Sequence, residues 1–294
     1  MKVIKYFIEF ISIISLFFIF KIIGLKYASD LGSVLGKLFG PLFRSSDITK
    51  KNIKIGLGEL SKEDENKIIN GMWSNIGRTF SEYAFLKTFK SSMSNSDHYS
   101  HTKINGTEYL NEIKKNNEPV VFFSAHLANF ELMAMELDKF GINCAAIYRP
   151  LNNFFLNPLM EYWRMKYICS NQIPKGIRGM RRVINKVRDK YSIALMVDQR
   201  VGEGPRVPFF NKGAHTTTIP AQLALKYNCK LVPIYLERKE NTNFEMTVSK
   251  PLDVKKTGND EEDIKNITLK INQTIEKMIL KNPEQWVWSH NRWK

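Results

Sequence analysis

Residues 118–131 read EPVVFFSAHLANFE. Val120 to Phe123 form a short apolar run after a proline, as expected of a strand buried on both faces. Beyond it, Phe130, Met133, Leu137 and Phe140 recur at helical spacing until Gly141 stops the pattern. His126 and Glu131 lie between the two patterns. Five positions along one helix turn a residue roughly 140° away from its starting face, and an odd offset on one strand changes face. The pair can therefore meet only where a strand gives way to a helix. Asn129 is placed to cap that helix, with Glu131 in its first turn.

The same alternation continues outward. NCAAIYRP, YSIALMVDQ, CKLVPIYLER and FEMTVSKPL read as further strands. They are separated by helical patterns such as FFLNPLMEYWRMKY, MRRVINKVRDK, IPAQLALKYN and EDIKNITLKINQTIEKMIL. The fold class is α/β, with a mostly parallel central sheet flanked by helices from about residue 104. Before it, a helical opening region reaches about residue 95, and SSMSNSDHYSH reads as a loop. Ligands of such sheets bind at the carboxyl ends of strands, here Ser124 to Glu131, Tyr148-Arg149-Pro150, Asp198-Gln199-Arg200 and Glu237-Arg238.

At its ordinary pKa a histidine can take a proton from an alcohol. A carboxylate on its other ring nitrogen fixes the tautomer and stabilises the imidazolium. His126 is the candidate base and Glu131 its candidate partner, although a capped helix with a surface glutamate has the same signature. No G-x-S-x-G surrounds Ser124, and neither a P-loop nor a G-x-G-x-x-G is present; Gly202 and Gly204 around Glu203 carry little signal. His98 and His101 sit in a polar stretch without thiol or carboxylate companions suited to a metal, and no metal or other cofactor is expected. The three cysteines have no C-x-x-C pairing and read as reduced thiols.

The 294-residue chain has 44 Lys plus Arg against 29 Asp plus Glu, a formal charge of +15, which favours an acidic partner. Residues 1–25, with FISIISLFFIF at their centre, read as a membrane anchor helix that spans or lies in the bilayer, with a buried helix or a cleaved signal peptide as the rival readings. The cations that follow, Lys26, Lys37, Arg44, Lys50, Lys51 and Lys54, place the body on the cytoplasmic side. Residues 26–294 make one domain. QWVWSHNRWK, with three tryptophans among cations, fits either a membrane interface or a packed core tail.

HLANFE after an apolar strand resembles the His-x4-Asp/Glu motif of lysophospholipid-type acyltransferases. INGTEYL, YRPLNN, DQR, VPFFNKGAHTTTIPAQLAL and PEQWVWSHNRWK, in that order, are similar to the late acyltransferases of lipid A biosynthesis. Leu127, Ala128 and Phe130 depart from that pattern, as does Asn211. The resemblance implies an enzyme of the inner membrane's cytoplasmic face, moving a fatty acyl group from acyl carrier protein to a hydroxyl of a lipid A precursor. It implies His126 and Glu131 as the catalytic pair. Arg149 and Arg164 are then candidates to bind phosphate on the substrates, and Asp198 to hold an arginine or shape the pocket. Phe130, Phe154 and Phe155 are the candidate lining of an acyl groove. Rival readings are the same chemistry on a glycerophospholipid or another glycolipid, or an inactive membrane-bound scaffold. Nucleic acid is not an expected partner.

Overall fold

The five apolar segments read as strands all form strands in the computed structural model of the protein, which describes residues 1–92, 100–202 and 204–294. The opening region is helical: α1 (Lys2–Ile23), α2 (Leu25–Phe43), α3 (Ser46–Leu57), α4 (Lys62–Glu82) and α5 (Leu86–Ser91). The α/β body follows as β1 (Thr102–Asn105), α6 (Thr107–Asn116), β2 (Val120–Ser124), α7 (Leu132–Lys139), β3 (Cys144–Tyr148) and α8 (Leu156–Trp163). A π-helical turn, Arg164–Ile168, leads into β4 (Asn171–Pro174), α9 (Ile177–Arg188) and β5 (Ser192–Met196). A hairpin of β6 (Arg206–Phe209) and β7 (Lys212–His215) precedes α10 (Ile219–Tyr227), β8 (Lys230–Arg238), β9 (Phe244–Val248) and α11 (Asp260–Lys281).

The main sheet has the order β1-β9-β8-β2-β5-β3-β4. Every pairing is parallel except that of β8 with β9. β2 lies at its centre. Val120 and Phe122 enter one core with α1, α7 and α8, while Val121 and Phe123 enter a second core with α9, α10 and α11. Two apolar layers thus require the unbroken apolar run, and burying each phenylalanine stabilises the fold by roughly 1.5–3 kcal/mol.

α1 is long and apolar enough to cross a membrane. Phe17 and Phe20 are its buried residues, and Phe17 packs on Phe80 and Trp163; Ile4, Ile8, Phe18 and Ile22 are exposed. α2 lies tight against α4 because glycines meet. A Cβ on Gly77 would stand 2.0 Å from the Gly32 carbonyl oxygen, so even alanine would force the helices apart.

Two sequence expectations change here. α7 begins at Leu132, with Glu131 at its N-cap position, and Asn129 does not cap it. Instead the Asn129 amide donates to the buried Glu82 carboxylate at 2.9 Å. The three tail tryptophans are core residues, with Trp286, Trp288 and Trp293 at 2, 0 and 8% exposure. That decides for the packed tail over the membrane interface. His98 and Glu203 lie outside the described residues.

Candidate active site

β2 and β5 pair in parallel with Ser124 opposite Met196. Two residues beyond each stand His126 and Asp198, so the register itself brings imidazole and carboxylate together. His126 Nδ1 is 2.8 Å from Asp198 Oδ1, and the His126 backbone N–H donates to Oδ2 at 3.0 Å. The indole N–H of Trp286, from the carboxyl-terminal tail, donates to the same Oδ2 at 2.8 Å. Asp198 is buried at 2% exposure. Burial pushes its carboxyl up, but the charge and hydrogen bond of His126, the Trp286 indole and the His126 backbone N–H outweigh it and hold the group down at about 2. An ionised Asp198 requires the proton of neutral His126 to sit on Nδ1, leaving the lone pair on Nε2.

Nε2 meets the Gln199 side-chain amide at 3.3 Å at the wall of a cleft of about 290 Å³. The cleft opens over the carboxyl ends of β2, β3 and β5. Phe130, Met133, Ala134, Ala146, Ala194 and Ile219 supply an apolar lining; Phe130 also packs edge-on to His126, with ring centroids 4.6 Å apart. Phe154 and Phe155 are elsewhere. They stack on Tyr6 and Phe7 of α1, so of the three candidate lining residues Phe130 alone lines the cleft.

Glu131 borders the cleft but makes no hydrogen bond to His126. Its Oε1 accepts from Arg164 Nη2 at 2.6 Å and Nε at 3.2 Å, and from the Tyr83 hydroxyl. The turn at Ala128 explains the separation. Ala128 adopts φ +49°, a strained value for a residue with a Cβ. Its N–H donates to the Gln285 carbonyl at 3.2 Å, and its carbonyl accepts from Asn75 and Thr79 at 3.0 and 3.1 Å. Held this way, the turn leaves Nδ1 facing Asp198 and sends Glu131 to the arginine. The expected orienting contact from Glu131 is therefore made by Asp198, which holds no arginine.

Arg164 also stacks over Tyr148 and Tyr83, at 5.5 and 5.8 Å from the ring centroids. Burial and a hydrogen bond to Glu161 push the Tyr148 hydroxyl up to about 12. Arg149, Lys175 and Arg200 border the cleft as well, and none of the three is in an ion pair among the described residues. The Arg200 backbone N–H donates to His290 Nε2 at 3.1 Å, while its own Nε is buried without a partner. Burial, then the neighbouring cations, lowers the His290 pKa to about 4. Tyr83 and His290 were not singled out from the sequence, and Trp286 was named there only as one of the tail tryptophans. Gln199 and Arg200 had a signal, since they follow Asp198 at a strand end. No cluster of His, Cys, Asp and Glu among the described residues is suited to a metal.

A mostly parallel α/β sheet with a hydrogen-bonded imidazole, and with cations around an apolar cleft at its carboxyl edge that have no ion-pair partner among the described residues, has the build of an enzyme acting on an amphiphilic, anionic substrate. The chain belongs to the bacterial lipid A biosynthesis acyltransferase family, which it matches over residues 1–294. It is 26% identical over 274 residues to a lipid A biosynthesis acyltransferase of Haemophilus influenzae, covering 88% of this chain and 83% of that one. To the lipid A biosynthesis lauroyltransferase of Escherichia coli K12 it is 24% identical, over 90% of this chain and 84% of the relative. The palmitoleoyltransferase of the same organism matches at 22% over the same shares. The protein is thus an acyltransferase of lipid A biosynthesis, with an apolar N-terminal helix suited to a membrane.

Proposed function

We propose that the protein transfers a fatty acyl group from acyl carrier protein to a hydroxyl of a lipid A precursor at the cytoplasmic face of the inner membrane. His126 is the general base. The observation that carries the reading is the 2.8 Å contact of Nδ1 with a buried, ionised Asp198, which leaves the Nε2 lone pair at the cleft wall. The substrate hydroxyl displaces the Gln199 amide and gives its proton to Nε2. The alkoxide oxygen forms the new ester bond at the thioester carbonyl. As the carbon–sulfur bond breaks, the imidazolium returns the proton to the departing thiolate. Asp198 stabilises that imidazolium, and such base assistance is worth about 10² to 10⁴ in rate.

Glu131 acts through Arg164, holding its guanidinium at the cleft edge. Arg149 and Arg200, without carboxylate partners among the described residues, suit the phosphate groups of the acceptor. The apolar lining with Phe130 receives the acyl chain. α1 and the cations after it support an anchor with the body on the cytoplasmic side. The test is incubation of membranes containing the full chain with acyl-carrier protein and lipid A precursor, read by mass spectrometry. One acyl mass added by the wild type and lost with His126→Ala is expected. An unchanged gain in the His126→Ala membranes defeats the assignment.

A further inference from the structure

Helix α9 has a feature that the cleft chemistry does not use. The stretch 175–190, KGIRGMRRVINKVRDK, carries seven basic residues and one acid. Lys175, Arg178, Arg181, Arg182, Arg188 and Lys190 are exposed. Among the described residues none of the seven is in an ion pair, although lysines and arginines elsewhere in the chain form eleven. Ile177, at the exposed end of the helix, is 82% exposed. The apolar residues of α9 are spent on the sheet: Val183 and Val187 are buried, with Met180 packed beside them.

The fold sets this cationic face at the cleft. β4 pairs with β3, and the Lys175 backbone N–H donates to the Tyr148 carbonyl at 2.9 Å. Lys175 borders the cleft and α9 starts two residues later. Gly179 makes the approach possible, since a Cβ there would stand 1.8 Å from the Pro174 carbonyl oxygen. Twelve residues give the helix about 18 Å of length leading away from the cleft.

We propose that the exposed face of α9, with Arg178, Arg181 and Ile177 at its centre, is the docking surface for the acidic acyl carrier protein. This rests on the reading of that protein as donor. A membrane would need an apolar face turned outward, and α9 turns its own onto the sheet with Ile177 as the exception. The anchor helix also packs in the core on the other side of the sheet, through Phe17 and Phe20. Arg178 and Arg181, in no ion pair among the described residues, and one apolar contact fit a folded, negatively charged protein whose tethered thioester must reach the cleft.

The test compares the full chain with Arg178→Glu/Arg181→Glu, using acyl-carrier protein and, separately, the uncharged small donor acyl-pantetheine. The binding of unacylated carrier protein is measured in parallel by fluorescence anisotropy. The charge reversal is expected to raise KM for acyl-carrier protein and weaken carrier binding at least tenfold, and to leave kcat and the KM for acyl-pantetheine and acceptor unchanged. Unchanged carrier binding overturns the docking surface. So does an equal loss with acyl-pantetheine, or a rise confined to the acceptor KM, which points to lipid binding. A wild type that uses acyl-pantetheine but neither binds nor uses the carrier overturns the donor reading instead. Unchanged thermal melting separates all these outcomes from misfolding.

Discussion

Replacing Asp198 by asparagine keeps the shape of the side chain and removes its charge. In the native site the two carboxylate oxygens accept three hydrogen bonds, from His126 Nδ1–H, the His126 backbone N–H and the Trp286 indole. Asparagine has one acceptor oxygen and two amide hydrogens. The backbone N–H and the indole cannot reverse their roles, so the oxygen turns to them and the amide faces Nδ1. The imidazole then moves its proton to Nε2 and has no lone pair left at the cleft. A wrong tautomer of this kind costs about 10³ to 10⁴ in kcat, or roughly 4 to 5.5 kcal/mol of barrier, with KM little changed. Stability falls as well. Holding the acid at about 2 rather than its usual 3.8 corresponds to about 2 kcal/mol in favour of the ionised form. Steady-state kinetics on acyl-carrier protein, with nitrogen NMR of the imidazole, reads both parts. A kcat within tenfold of wild type for Asp198→Asn, alongside abolished turnover for Glu131→Gln, would refute the reasoning and return the orienting role to Glu131.

Three further outcomes follow from the same geometry. His290 has its pKa lowered to about 4 by burial, so its neutral form contributes stability in full above pH 6.5, and that contribution is lost as pH falls from 6.5 towards 4. Unfolding free energies from urea titrations at pH 7 and pH 4.5 should differ by up to about 3 kcal/mol more in the wild type than in His290→Gln; equal differences would contradict this. Arg164→Lys loses the two-nitrogen hold on Glu131 Oε1 and should destabilise the cleft wall by a few kcal/mol, seen as a lower melting temperature with a raised acceptor KM. Gly77→Ala sets a methyl against the Gly32 carbonyl and should cost roughly 1–3 kcal/mol, with α2 becoming cleavable by protease before global unfolding.

The sequence makes the central strands legible because burial on both faces leaves no polar gap in VVFF or IALM. β1 and β4 escape notice for the opposite reason: TKIN and NQIP are four-residue edge strands with three and two polar residues, and the second ends in proline. The β6–β7 hairpin turns at Phe210 and Asn211, both at positive φ, and phenylalanine is not a residue that signals such a turn. His126 was readable as a residue at a strand end, whereas its partner was not readable from spacing along the chain. The nearby Glu131 attracts the eye, and Asp198, though legible as a residue at a strand end, is recognised as the partner of His126 only once two apolar runs are aligned so that each is followed by a spacer, Ala125 or Val197, and then a polar group. The tail was ambiguous because tryptophans among cations suit an interface and a core equally, and its burial depends on Asp198 and the Phe209 carbonyl as distant partners.

The contact between Trp286 and Asp198 also sets an order of events in time. During synthesis α1 is made before any strand of the sheet. The turn at Ala128 and the carboxylate beneath His126 wait for Gln285 and Trp286, which arrive at about 5–20 residues per second long after the strands they lock. The imidazole and its turn are thus held in place only well after α1 has been made, so a nascent chain that stops before Gln285 carries the long apolar helix without the hydrogen bonds that fix His126 and Ala128.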